Sequence, residues 1–260
     1  LSAGLSVNYD GYNEEAYPHP LPKGKGESLG VNNLNRWEVT PGMFAEYTYT
    51  YKDKVTLLAG IREDYSSTYS FFTTPRMNVR FAPFEWWTLR GSVGLGYRSP
   101  NAIADNAAYL ASNRDYYFSD GQLAIGDGQL AQERSMNTGL STVFYIPMGK
   151  RELQLSGEYY YTKFLDGVIA DMDRSVHSIV LYNIHDVEGA QYFSHNWQVE
   201  ATMEILRGWT MTAAFRYTDV KQTSFNSKMG EYQLRDKPLQ NKFKGIITTR
   251  YQTPLKTWQM

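Results

Sequence analysis

Reactive side chains are few in this sequence and do not converge. His19, His177, His185 and His195 lack the i, i+4 spacing that sets two imidazoles on one helical turn, and all sit in or beside segments that read as loops. Asp120 and Asp127 lie in a Gly-rich stretch, but their spacing is not that of a calcium-binding hand, and a solvated loop accounts for them. Gly94-Leu95-Gly96 has no following glycine of the dinucleotide type and falls inside a strand pattern. No Gly-x-Ser-x-Gly elbow occurs, so a serine hydrolase has no placed nucleophile. Cysteine is absent, which removes thiolate chemistry, cysteine metal sites and a disulfide frame. The reading is of a protein that is no enzyme, holds no metal and carries no cofactor. Binding chemistry is better represented. Arg98, Tyr109, Asn113, Arg114, Tyr116, Tyr117 and Phe118 gather guanidinium, amide and ring groups in one stretch. Such a mix grips a bulky polar ligand, and the same mix also packs an ordinary loop.

The elements that would position these groups alternate with a period of two. Trp87, Leu89, Val93, Leu95 and Tyr97 share one face of a strand, and Thr88, Arg90, Ser92 and Arg98 the other. The pattern recurs along the chain. Val55, Leu57, Ala59 and Ile61 oppose Thr56, Gly60, Arg62 and Asp64, while Pro75, Met77, Val79 and Phe81 oppose Arg76, Asn78 and Arg80. Leu153, Leu155, Tyr159 and Tyr161 oppose Gln154, Ser156 and Glu158, and Trp197 to Ile205 alternates with Gln198, Glu200, Thr202 and Glu204. Trp209, Met211, Ala213, Phe215 and Tyr217 oppose Thr210, Thr212 and Arg216. Short turns near Lys52, Phe84, Met148, Arg207 and Pro254 separate these runs on one side. Long or medium loops fall on the other: residues 10 to 40, 65 to 72, the stretch after Arg98, 165 to 190 with its own hairpin around Val176, and 219 to 241. Pro100 suits the first turn of a short helix through the Ala-rich run.

One oily face, one charged face, and loops sorted by length between the two rims describe a transmembrane β-barrel. The predicted fold is all-β, an antiparallel transmembrane barrel segment of about eleven strands of about ten residues each. Composition agrees. Mean hydropathy is -0.50 and no run reaches the roughly 18 apolar residues of a membrane helix, yet barrel strands average out because alternate residues face a polar lumen. Aromatic residues make up 15% of the chain, as rings in two interfacial belts would require. A net charge of -1 gives no basic field for nucleic acid. A soluble antiparallel sandwich also alternates, but its loops do not sort by length. The absence of a leader before Leu1 and the strand-like ending at Trp258-Gln259-Met260 suggest a fragment, residues 1–260 being one partial barrel domain.

At Gly96-Tyr97-Arg98-Ser99-Pro100-Asn101, with Asp105-Asn106 after it, the chain resembles the TonB-dependent outer-membrane receptors. Glu133-Arg134-Ser135-Met136-Asn137-Thr138-Gly139 matches the family's Glu-x-Ser-x-Asn-x-Gly strand opening, and Pro41 to Tyr47 is similar to its usual lead into the middle barrel. The resemblance implies a 22-stranded barrel closed by an N-terminal plug, of which about half the barrel is present here and the plug and closing strands are not. It also implies partners: the protein's own plug, a TonB-type energy-coupling protein, outer-membrane lipid and, as a further candidate, a surface lipoprotein. On it, Arg62, Arg76, Arg80, Arg90, Arg216, Glu158 and Glu200 face the plug, though in an empty pore they would simply be solvated. Arg98, Tyr109, Arg114, Tyr116 and Tyr117 become the expected ligand-binding residues. The implied function is energy-dependent uptake of a scarce bulky nutrient across the Gram-negative outer membrane, such as a siderophore or other metal chelate, cobalamin or a glycan. A passive porin-type channel is the alternative, and an outer-membrane enzyme or a soluble β-sheet binding protein stand behind it.

Overall fold

The computed structural model describes residues 1–13, 15–16, 32–33, 36–101, 104–112, 114–118 and 130–253. In chain order the strands are β1 (Ser2–Tyr12), β2 (Glu15–Ala16), β3 (Asn32–Asn33), β4 (Arg36–Tyr51), β5 (Val55–Ser66), β6 (Ser70–Phe84), β7 (Trp87–Arg98) and β8 (Asp115–Phe118). There follow β9 (Glu133–Met148), β10 (Arg151–Asp166), β11 (Val168–Asp171), β12 (Ser178–Asn183), β13 (Tyr192–Leu206), β14 (Trp209–Asn226), β15 (Glu231–Asp236) and β16 (Phe243–Tyr251). Eleven of them form one antiparallel sheet in the order β1-β4-β5-β6-β7-β9-β10-β13-β14-β15, with β16 also on β14. β15 and β16 take successive lengths of the same edge of β14, interrupted where Pro238 and Leu239 (φ 58°) leave the ladder.

Register confirms the two faces. Thr56, Arg80, Arg90, Ser141, Glu158, Gln198 and Arg216 are successive cross-strand partners on one rung. The row three residues along, Ala59, Met77, Val93 and Thr138, belongs to the opposite face. The apolar face has no protein layer over it among the described residues: Leu5, Val199, Phe215 and Ile247 are 84%, 52%, 51% and 72% exposed. A soluble sandwich would bury those side chains against a second sheet, whereas lipid leaves them uncovered by protein. Rings collect near the short turns, where Phe84 stacks on Trp86 at 5.3 Å and Trp87 on Phe144 at 6.2 Å. A second group, Tyr159, Tyr161, Trp197 and His195, lies farther along toward the loops.

The strands outrun the sequence expectation, reaching 16 residues in β4, β9 and β10 and 18 in β14. The excess lies on the loop side, so parts of the segments expected as loops at 10 to 40, 165 to 190 and 219 to 241 are ladder. Beyond the bilayer the outward face need not be apolar, and alternation there loses its signature. The medium loop expected at 65 to 72 is instead a short hairpin, with Ser67 to Tyr69 between β5 and β6. Ser66 fastens it by accepting the backbone N–H groups of Thr68 and Tyr69, both at 3.0 Å, and donating to Glu38. On the other rim, Gly208 (φ 79°) closes the β13–β14 turn where an added Cβ would clash with the Gln252 carbonyl.

The buried core sits at the long-loop ends of β10 and β13 to β15, where a small second sheet packs against them. β11 and β12 form the hairpin expected around Val176, and β8 joins β12 in parallel. Ile169, Ile179, Leu181 and Tyr182 are almost wholly buried there. This small sheet stands on the long-loop rim.

Candidate functional site

The rim is organised by Arg98, the last residue of β7, which faces Glu133, the first of β9. Their pairing on the polar face lets the guanidinium Nε donate to Glu133 Oε2 at 2.7 Å, while Nη1 donates to Asp105 Oδ1 at 2.7 Å. Asp105 also accepts the Asn101 N–H at 2.8 Å, and Asn101 Oδ1 accepts the Ala104 N–H at 2.9 Å. That reciprocal arrangement starts the 3₁₀ segment Ala104–Ala111 at Ala104, beyond the Pro100 start expected from sequence, because the Asn101 side chain satisfies a first-turn donor. Glu133 Oε1 accepts the Val168 N–H at 3.3 Å, so one ion pair joins β7, β9 and the start of β11. Arg98 is thus already balanced by two carboxylates.

Beside it opens a cavity of about 220 Å³, walled by Arg98, Asp105, Glu133, Phe164, Tyr192 and Lys237 among others. Phe164 and Tyr192 stack with centroids 4.0 Å apart, and Lys237 Nζ donates to the Tyr192 hydroxyl at 2.8 Å. Phe164, Tyr192 and Lys237 were not among the residues expected from sequence. Phe164 and Tyr192 are direct partners on the polar face, continuing the parity of Thr162 and Ser194; that parity, followed past Tyr161, is the signal that finds them.

Arg114 donates from Nη1 to the Met172 carbonyl at 2.8 Å, tying the loop after β7 to the loop after β10. The backbone of Tyr116 and Tyr117 lies opposite Ile179 and Val180 in the small sheet, and Tyr109 lies in the 3₁₀ segment. The side chains of these three tyrosines lie outside the described part of the structure, as do Asn113, His19, Asp120 and Asp127. The small sheet is bolted to β14 and β15. Asp171 Oδ2 accepts the Phe225 N–H at 2.6 Å, Arg235 pairs with Asp173, and the Tyr182 hydroxyl donates to the Thr223 carbonyl. Burial, and then the nearby Asp171 carboxylate, push the Tyr182 hydroxyl pKa upward, keeping it a donor. Loop segments after β7, β10 and β14 therefore form one body above the rim.

Below it the concave polar face carries all seven residues expected to meet a plug. Arg62 donates from Nε to Asp64 Oδ2 at 2.7 Å and from Nη2 to Ser6 at 2.7 Å. Arg76 pairs with Glu46, and Arg216 donates to Gln198 Oε1 at 2.8 and 3.0 Å. Glu158 lies between Ser141 and Gln198, and Glu200 between Ser156 and Ala214. Arg80 faces Arg90 directly. Among the described residues no group of three or more His, Asp or Glu side chains could hold a metal ion.

A polar concave face, a lipid-type outer face and one ordered loop rim are the anatomy of an outer-membrane barrel. The family model described as TonB dependent receptor-like, beta-barrel, matches residues 2–260. The chain belongs to this family of TonB-dependent receptor barrels. Its strands are accordingly those of a Gram-negative outer-membrane protein. Among solved structures, the copper transporter OprC aligns with a TM-score of 0.58 at 12% identity, covering 96% of this chain and 38% of that one. Pseudomonas aeruginosa FpvA bound to heterologous pyoverdines aligns at 0.57 and 10% identity, covering 96% and 33%. The siderophore receptor PirA of the same species aligns at 0.56 and 14%, covering 96% and 44%. At such identities the likeness is one of fold. The TonB-dependent receptor barrel described here spans less than half the length of each of these relatives. No protein of curated function matches the chain in sequence.

Proposed function

We propose that the full-length protein is a receptor that binds a scarce, bulky nutrient at its outer rim and imports it with energy coupled from the inner membrane. A metal chelate such as a siderophore is the leading substrate class, with cobalamin or a glycan as the others. The observation that carries the reading is the rim itself. Three loop segments are built into one body by the small sheet, Arg114 and the Arg98–Asp105–Glu133 network, and beneath them opens a ring-walled cavity with a lysine. A passive pore needs open loops and no such built recess. The ligand residues are Arg98, Tyr109, Arg114, Tyr116 and Tyr117, the two arginines acting by holding the rim in shape, and Lys237 and Tyr192 join them. The plug contacts Arg62, Arg76, Arg80, Arg90, Arg216, Glu158 and Glu200, and a TonB-type protein couples the energy through a segment upstream.

Deletion of residues 107 to 128 from the full-length protein tests this. That deletion takes away β8 and leaves the large sheet, so the barrel still inserts. Growth on the cognate nutrient and ligand binding are expected to fall together; unchanged affinity and uptake would remove this loop from the site.

A further inference from the structure

On the concave face four arginines are answered. Arg62 has Asp64, Arg76 has Glu46, Arg98 has Glu133 and Asp105, and Arg216 has the Gln198 amide. Arg80 and Arg90 are the exception. They are direct cross-strand partners on β6 and β7, an arrangement that repels. The rung continues on either side to Thr56 and Ser141, so neither neighbouring strand supplies an acid. Among the described residues Arg80 reaches only the Asp53 carbonyl, at 3.5 Å, and Arg90 has no carboxylate partner. A cavity of about 280 Å³ lies over the pair, lined also by Asn78, Ser92, Ser141 and Tyr160. Its floor is kept low by Gly139, where an added Cβ would meet the Tyr160 ring at 2.5 Å and Ser92 Oγ at 2.7 Å.

Two guanidinium forks, the hydroxyls of Ser92, Ser141 and Tyr160, and the Asn78 amide line the recess, a donor set without an acceptor of matching charge. A carboxylate fits it, since its two oxygens offer about four lone-pair sites and can take bonds from both arginines. We propose that Arg80 and Arg90 form an anion cradle that seats one acidic side chain of the N-terminal plug, and that this single carboxylate converts a repelling pair into a latch. The proposal rests on the reading of the whole protein as a plugged receptor. It explains why a like-charge pair persists at directly opposed positions: the repulsion disappears once the plug is home.

The test uses the full-length protein in lipid vesicles, with plug amide exchange followed by mass spectrometry and barrel assembly checked by heat-dependent gel mobility. Arg80→Gln and Arg90→Gln are each expected to speed plug exchange about tenfold or more, the loss of a charge-assisted hydrogen bond. Arg90→Lys, which keeps the charge and loses the fork, gives a smaller change. Neutralising plug carboxylates one at a time, alone and with Arg90→Gln, should find one whose effect vanishes in the double variant. Where a neutral variant fails to assemble, Arg90→Lys carries the same coupling test. Unchanged plug exchange in the arginine variants, or independent effects from every plug acid, overturns the cradle. Protection of β6 and β7 amides by millimolar acetate in the wild type, with no coupled plug acid, makes the ligand a free anion and also overturns it. Uptake is measured in the same strains. Energy-dependent uptake with an unaffected plug condemns the cradle alone, whereas a full-length protein with no plug or no uptake condemns the receptor reading.

Discussion

Leu155 and Ser156 are neighbours in β10, and the sheet sends them to opposite environments. Leu155 faces Phe144 and Ala201 on the apolar side; Ser156 faces Val143 and Glu200 on the polar side. Both lie about midway along the part of β10 that a bilayer would cover. Arg at a lipid-facing midplane position costs roughly 2 to 4 kcal/mol, and Leu155→Arg also loses contact with Phe144. Ser156→Arg instead places a cation opposite Glu200, a cross-strand pair that contributes roughly 0.2 to 1 kcal/mol of stabilisation. The two variants should therefore differ by at least about 2 kcal/mol, near thirtyfold in the folding equilibrium. The assay is reversible urea unfolding of the full-length protein from lipid vesicles, followed by tryptophan fluorescence. Equal losses, or a greater loss from Ser156→Arg, would refute the assignment of faces and the membrane fold with it.

Other consequences are nearer the rim. Tyr182→Phe leaves the Thr223 carbonyl without its buried donor and should cost about 1 to 2 kcal/mol, read as faster amide exchange in β11 and β12 with the barrel unchanged; equal protection would show the bond to be idle. Asp236 is held below the ordinary carboxylate range by the hydrogen bond from Lys242, and the same bond raises Lys242. The carboxylate's share of stability is present above its ordinary pKa and lost as pH falls through the depressed one; the lysine's is present below its ordinary pKa and lost as pH rises through the raised one. Their link should thus persist across neutral pH and open at both extremes, which carboxyl NMR of Asp236 measures; an undepressed titration would contradict the pairing. Gly208→Ala forces a positive φ on a residue whose Cβ meets the Gln252 carbonyl, and should destabilise by roughly 1 to 3 kcal/mol in the same urea assay, with wild-type stability refuting that turn.

Within the bilayer-spanning lengths, sequence alone was enough to assign faces, because water and lipid impose opposite demands on alternate residues. Arg62, Arg76, Arg80, Arg90, Arg216, Glu158 and Glu200 all fell on the polar face for that reason. The hairpin around Val176 was also legible, as two apolar runs about a polar centre. Above the bilayer that demand ends. Phe164 and Tyr192, rings on the polar face, therefore escape that rule, and the alternation of β14 fades near Asp219 although the strand runs to Asn226. The hairpin at Ser67 to Tyr69 has the sequence of a longer loop because its closure depends on the side chain of Ser66. Pairings such as Arg98 with Glu133, or Arg80 opposite Arg90, required the register between strands, which no single strand's pattern specifies.

On the proposed function, a ligand-gripping rim on this barrel serves energy-driven import. Uptake of labelled candidate chelates, cobalamins and glycans by cells carrying the full-length protein, measured before and after collapse of the inner-membrane proton gradient, tests it most directly. A receptor gives saturable, high-affinity uptake of one ligand that stops when the gradient is collapsed while binding at the cell surface persists. Unsaturable entry of small solutes, indifferent to the gradient, would contradict it and make the protein a passive pore.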